Sequence, residues 1–123
     1  ERMSQSKSIL ALCRHAPYGN ALAREGLEAV LACAAMDQIP EVLFINDGVF
    51  QLLEQNPEAI GEKSLRRNLQ ALPMFGVETL YICKKSLEDR GITPNQISVA
   101  GAELKLLDNP GAFIANFDQV LSF

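Results

Sequence analysis

Residues 79–91 read T-L-Y-I-C-K-K-S-L-E-D-R-G, and the change of character at Cys83 governs how the rest of the chain is read. Thr79, Leu80, Tyr81 and Ile82 are β-branched, aromatic or aliphatic, a run suited to a short strand buried on both faces. Residues 84–90 are polar and helix-compatible, and Gly91 supplies a stop after Arg90. A strand that passes straight into a helix predicts Cys83 at the carboxyl edge of a parallel sheet, where open α/β folds place their ligands. There the free N–H groups of a helix start, with Lys84 and Lys85, favour a thiolate. The two lysines also oppose the helix dipole, at about 0.3–1 kcal/mol each, unless they splay into solvent or meet an anion. The other reading of Cys83 is a small buried hydrophobe, the commoner state of a free cysteine.

Upstream, residues 8–13, S-I-L-A-L-C, read as the first strand, and the Pro17–Gly19 region as a turn. Asn20 is placed to cap a helix over 21–37, whose Ala23, Leu27, Val30, Leu31 and Ala34 form one apolar stripe. Arg24 and Glu28 fall off that stripe as an exposed i, i+4 pair. Pro40 closes the connection to a buried strand, V-L-F-I at 42–45. Asn46-Asp47-Gly48 then turns into a short helical piece at 49–55, with Asp47 expected to cap it. That piece carries Val49, Phe50, Leu52 and Leu53, more apolar side chains than one sheet-facing stripe needs. The surplus reads as a contact surface for another subunit, or else as a helix tucked under the following loop.

Residues 56–63 read as an exposed loop, and Ser64 as the cap of a helix bearing Leu65, Leu69 and Leu72. Downstream of 79–91, Ile92-Thr93-Pro94 makes a turn, 97–100 a fourth strand and 102–107 a single helical turn. Pro110 fits the first position of a last helix ending near Asn116, and 118–123 closes the chain as a fifth strand. Strands alternating with helices, without a hairpin signal, give a parallel sheet covered on both faces.

The chain has 123 residues, 48% of them apolar and 21% charged, a composition that suits one globular domain. Glu1 and Arg2 precede Met3, so residues 1–7 are expected to be a disordered tail or a cloning remnant, with a single domain over 8–123. No apolar run approaches the roughly 20 residues of a membrane span, and no secretory signal is recognised. Three cysteines without an export signal read as reduced thiols in the cytoplasm. Cys13 and Cys33 are expected in the core, and His15 in a loop as a solvated or capping residue. A single histidine and no C-x-x-C give no cysteine/histidine zinc set, and no cofactor motif is present. A net charge of −4 with scattered basic residues disfavours direct nucleic-acid binding.

Several chemistries fail on spacing. The first strand is followed by A-P-Y-G and not by G-x-G-x-x-G, and no phosphate P-loop appears. A receiver domain needs acidic residues where this chain has Arg14, His15 and Cys83. A cysteine phosphatase needs C-x5-R, and Arg90 lies one residue too far. C-K-K-S resembles a monothiol thioredoxin-type site, but a proline-bearing antiparallel half is not found. A nucleophilic or sulfur-carrying thiol survives, as does no chemistry at all.

Five blocks of sequence, A-P-Y-G (16–19), R-E-G-L-E-A-V-L-A (24–32), I-N-D-G-V-F-Q-L-L (45–53), V-E-T-L-Y-I-C-K-K-S-L-E-D-R-G-I (77–92) and N-F-D-Q-V-L-S-F (116–123), resemble the TusC/DsrF family of sulfur-relay subunits. The resemblance implies a three-layer α/β/α fold around a five-stranded parallel sheet. It also implies assembly with TusB-like and TusD-like sister subunits, commonly as a heterohexamer. In that system persulfide sulfur moves between small carriers towards 2-thiolation of a tRNA wobble uridine; in the Dsr counterpart it serves sulfur oxidation. Cys83 falls where the TusD/DsrE-type sister has its sulfur-accepting cysteine, but here the small residues that follow are replaced by Lys84 and Lys85. Three functions are therefore expected in contention: an accessory subunit of the relay complex, a persulfide carrier acting through Cys83, and a small-molecule-binding module using the loops at 17–20 and 46–48.

Overall fold

The computed structural model describes residues 8–17, 22–53 and 62–123, without the side chains of 62–64. Five strands, β1 (Ile9–Cys13), β2 (Glu41–Phe44), β3 (Thr79–Cys83), β4 (Glu103–Leu107) and β5 (Gln119–Ser122), form one sheet in the order β4-β3-β2-β1-β5. Every pairing is parallel. Among the described residues four α-helices connect them: α1 (Leu22–Ala35), α2 (Glu62–Ala71), α3 (Lys84–Asp89) and α4 (Pro110–Ile114). The expected tail at 1–7 and the Asn20 cap lie outside the described residues, and Ser64 falls inside α2 and not ahead of it.

The layering follows from the strand order. From β1 through β4 the chain steps in one direction, so right-handed crossovers place α1, α2 and α3 on one face. The return from β4 across to β5 reverses direction and puts α4 on the other. The side chains agree. Ala11, Cys13, Val42, Phe44, Leu80 and Ile82 face the main core with Leu27 and Val30 of α1, Leu65 and Leu69 of α2 and Leu87 of α3. On the opposite face Tyr81 meets Phe113 of α4, ring centroids 4.5 Å apart, and Phe113 meets Phe117 edge-on at 5.1 Å. Each fully buried leucine or phenylalanine here contributes about 1.5–3 kcal/mol.

The α1 stripe is buried at Ala23, Leu27, Val30 and Ala34, with Leu31 at its margin, as its spacing predicts. Gly26 completes that face, because the C-terminal Phe123 packs directly on it: a Cβ there would lie 2.7 Å from Phe123 Cβ. In α4, Pro110 occupies the first turn, and the Asn109 side chain caps the helix by accepting from the Ala112 N–H at 3.1 Å.

The fourth strand is Glu103–Leu107, not the expected 97–100. Ile97 and Val99 are apolar and buried, but they belong to a loop that folds over the core, with Ile97 in an isolated antiparallel bridge to Leu53. Arg66 of α2 donates to the Ser98 carbonyl and holds that loop down. The true strand, E-L-K-L-L, is an edge strand with Leu104 beside Leu80 and Leu106 beside Ile82. Its residues favour helix when isolated, and pairing with β3 overrides that preference. The expected helical piece at 49–55 is a 3-10 helix starting earlier, Asn46–Leu52.

Candidate functional site

At the carboxyl edge of the sheet, β3 leaves towards α3 on one face and β4 leaves towards α4 on the other. Adjacent strands whose connections diverge in this way open a crevice, the position where open α/β sheets bind ligands. An open cavity of about 210 Å³ lies there, lined by Lys84, Lys85, Glu88 and Asp108. Cys83, the last residue of β3 and the residue before α3, lies beside it opposite Leu107 of β4. Cys83 is 5% exposed, so its sulfur sits at the rim but beneath the surface.

The lysines are engaged. Lys84 Nζ lies 3.7 Å from Asp108 Oδ1, and Lys85 Nζ lies 3.3 Å from Asp89 Oδ1 one helical turn on. These carboxylates answer the dipole mismatch that two lysines in a first turn create. They also neutralise the crevice, whose four lining residues carry two positive and two negative charges.

The base of α3 is locked to the turn after β2. Ser86, buried, accepts from the Asn46 N–H through Oγ at 2.9 Å. Arg90 closes the far end: Nε and Nη2 lie 3.0 and 2.9 Å from Asp47 Oδ1, and Nη1 donates to the Ser86 carbonyl at 3.1 Å. Its guanidinium carbon stands 6.0 Å from the centre of the Phe50 ring. Asp47 is therefore an ion-pair partner, not the expected helix cap; no side chain caps that 3-10 helix at its first position.

The turn itself rests on the end of β1. Ile45 N–H donates to the Cys13 carbonyl at 3.0 Å, and Gly48 lies so close that a Cβ there would meet the same oxygen at 1.9 Å. Only glycine permits this approach. Gln51, 1% exposed, reaches across with Nε2 to donate to the His15 carbonyl at 2.9 Å. His15 is thus tied by its backbone; its Nδ1 is buried with no hydrogen-bond partner among the described residues, while the residue as a whole stays partly exposed.

Of the other two cysteines, Cys13 is fully buried, and burial pushes its thiol up to about 12 from a model-compound value of 9.0. It is chemically inert in the folded chain. Cys33, expected in the core, is only partly buried on α1. Among the described residues no group of three or more His, Cys, Asp or Glu side chains converges as a metal-ligand set.

The four expected interface residues separate. Val49 and Leu52 are completely buried in the main core, so they present no surface; Phe50 and Leu53 pack against that core and keep part of their area exposed. The loop under which the other reading tucks this helix lies largely outside the described residues. Ser86, Arg90 and Gln51 were missed in the sequence because each acts through a contact made across the fold, and polar residues in a short helix carry no spacing signal for that.

Residues 7–123 match the family model described as DsrE/DsrF-like. The chain belongs to the DsrE/DsrF-like family. Among its DsrE/DsrF-like relatives, Protein TusC homolog of Pseudomonas aeruginosa is 38% identical over 120 residues, covering 95% of this chain and 98% of that protein. Protein TusC of Escherichia coli O9:H4 is 36% identical over 118 residues, covering 95% and 99%. In fold, the chain is similar to the ychN protein from E. coli, with a TM-score of 0.76 at 23% identity over 95% of this chain and 99% of that one. A conserved protein of unknown function from Bacteroides thetaiotaomicron superposes with a TM-score of 0.63 at 12% identity, over 94% and 95%. In this DsrE/DsrF-like chain, no helix among the described residues is long and apolar enough to cross a membrane.

Proposed function

We propose that this chain is a cytoplasmic accessory subunit of a sulfur-relay complex, assembled with TusB-like and TusD-like sisters and serving 2-thiolation of tRNA wobble uridine. The observation that carries this reading is similarity at 36–38% identity, over almost the whole of both chains, to proteins named TusC. The site is consistent with an accessory role. Cys83 is buried, and the crevice beside it is flanked by long side chains already paired with carboxylates. Phe50, beside the Arg90 guanidinium, and Leu53, the two expected contact residues with exposed area, are assigned to the sister-subunit contact. Co-purification tests it: the chain is expected to elute as a heteromeric complex when co-expressed with TusB-like and TusD-like proteins. A monodisperse single chain that ignores both would overturn it.

A second reading is favoured by the place of Cys83 at the rim of the switch-point crevice. As a carrier, the Cys83 thiolate would attack the outer sulfur of a donor persulfide. An S–S bond forms at Cys83, the donor S–S bond breaks, and the donor leaves as a thiolate, with no external oxidant or reductant. Incubation with a persulfide donor followed by intact-mass measurement separates the readings. The accessory subunit gains no sulfur at Cys83 while a TusD-like protein in the same mixture does.

A further inference from the structure

In an all-parallel sheet every strand starts at the same edge, and that edge lies opposite Cys83. Two neighbouring connections there expose large apolar side chains. The α1-to-β2 connection presents Met36, 77% exposed, and Ile39, 53% exposed. The short 3-10 helix Leu72–Phe75 ahead of β3 presents Met74, 84% exposed, and Phe75, 44% exposed. The two connections touch. Gly76, at φ 101°, lies under Ile39, whose Cδ1 would be 2.7 Å from a Cβ at that position. Single exposed hydrophobes are ordinary, but four large ones on two abutting connections form a surface that water solvates poorly.

Among the described residues, the charged side chains at these strand starts are of one sign. Asp37 follows Met36, Glu41 opens β2, Glu78 precedes β3 and Glu103 opens β4, and all four are exposed. The Glu103 N–H donates to the Glu78 carbonyl at 2.8 Å, which brings the starts of β3 and β4 side by side. The segments 36–41 and 72–78 contain no lysine or arginine. The ion pairs found among the described residues use other carboxylates: Glu28, Asp108, Asp89 and Asp47.

This combination selects its occupant. A second copy placed about a two-fold axis would bring the same carboxylates face to face, and nucleic acid or an anionic lipid surface would be repelled outright. We infer that the strand-start edge is a docking surface for a basic amphipathic protein segment, its apolar face on Met36, Ile39, Met74 and Phe75 and its lysines or arginines against the surrounding carboxylates. Flexible methionines suit such a surface, because they repack around varied apolar anchors. The inference stands apart from the sulfur reading, since it uses none of the residues near Cys83.

The full chain, isotope-labelled, is titrated with a synthetic Leu/Lys amphipathic peptide of about five helical turns. A Leu/Glu peptide of the same pattern and a Leu/Lys peptide with scrambled pattern serve as comparisons. The Leu/Lys amphipath is expected to bind at least about tenfold more tightly than either, with amide shifts confined to 36–41 and 72–78. Met74→Ser is expected to keep the wild-type melting temperature, because the side chain is almost wholly in water, and to weaken binding several-fold. Glu41→Gln with Glu78→Gln is expected to weaken binding and remove most of its salt dependence. Equal binding of the three peptides, no binding of the Leu/Lys amphipath, shifts at the Cys83 edge, or self-association that Met74→Ser abolishes would each overturn the inference.

Discussion

Arg90 and Asp47 are the pair whose removal should be felt furthest. Arg90 presents two nitrogens to Asp47 Oδ1, at 3.0 and 2.9 Å, and a third to the Ser86 carbonyl at 3.1 Å. Its side chain is 22% exposed and that of Asp47 is 59% exposed, so the pair is half in water and its Coulomb energy is screened. Charge-assisted hydrogen bonds in such a setting contribute about 1.5–3 kcal/mol together, and the loss of packing on Phe50 adds a few tenths. Arg90→Ala should therefore destabilise by about 2 kcal/mol, and Asp47→Ala by about 1 kcal/mol. Because both act through one contact, the double variant should fall short of the sum by about 1 kcal/mol. Arg90→Lys should recover little, since an ammonium cannot reach Asp47 and the Ser86 carbonyl with the geometry of a planar fork. Urea unfolding of the four chains, read by circular dichroism, measures the cycle. A coupling energy within about 0.3 kcal/mol of zero would refute the clamp, because additivity within that margin is what independent sites show.

Gly48→Ala places a Cβ 1.9 Å from the Cys13 carbonyl oxygen, against the backbone of Cys13 and Arg14. It should cost at least about 3 kcal/mol, read as a fall of roughly 10 °C or more in Tm. Asn109→Ala removes the cap on α4 and should cost about 1 kcal/mol in the same assay while leaving the main core intact. The Cys13 thiol is raised to about 12 in the fold from 9.0, so the unfolded chain loses that proton first as pH rises. Its contribution is fully present below pH 9 and is lost between 9 and 12. Relative to Cys13→Ala, the wild-type chain should lose stability with a slope approaching 1.4 kcal/mol per pH unit in that window. Parallel slopes for the two chains would refute the assignment.

The elements with a strong local signature were legible in the sequence. The run T-L-Y-I-C before a polar helix, V-L-F between turn residues, and the stripe of α1 each state their burial through spacing, and each appears where the spacing puts it. The segment from 97 to 107 was not legible. Ile97 and Val99 have strand composition but find their burial in a loop, whereas A-E-L-K-L-L has helix composition and becomes an edge strand because β3 has an unpaired side. The same limit applies at the site. Cys83 at the carboxyl edge follows from its position in the chain, but the Asp108 that answers Lys84 lies 24 residues further on, and only the strand order brings it there.

The strand order also bears on which role fits the crevice. The switch point between β3 and β4 would open a crevice beside Cys83 whatever residue ended β3, so a cysteine there is not by itself a sign of sulfur chemistry. What distinguishes a carrier is an approach path for a second macromolecule carrying a persulfide and a cation left free to hold the incoming anion. Here Lys84 and Lys85 are each already matched with a carboxylate, and Cys83 is buried. Breaking one match tests the point. With Asp108→Asn, Lys84 is released towards the crevice, and the substitution should leave stability within about 0.5 kcal/mol because the pair is exposed. If neutralisation of the crevice is what keeps Cys83 from accepting sulfur, the variant should gain detectable persulfide at Cys83 where the wild-type chain gains none. An unchanged mass for both would move the cause from charge to burial, and sulfur on both would make the chain a carrier.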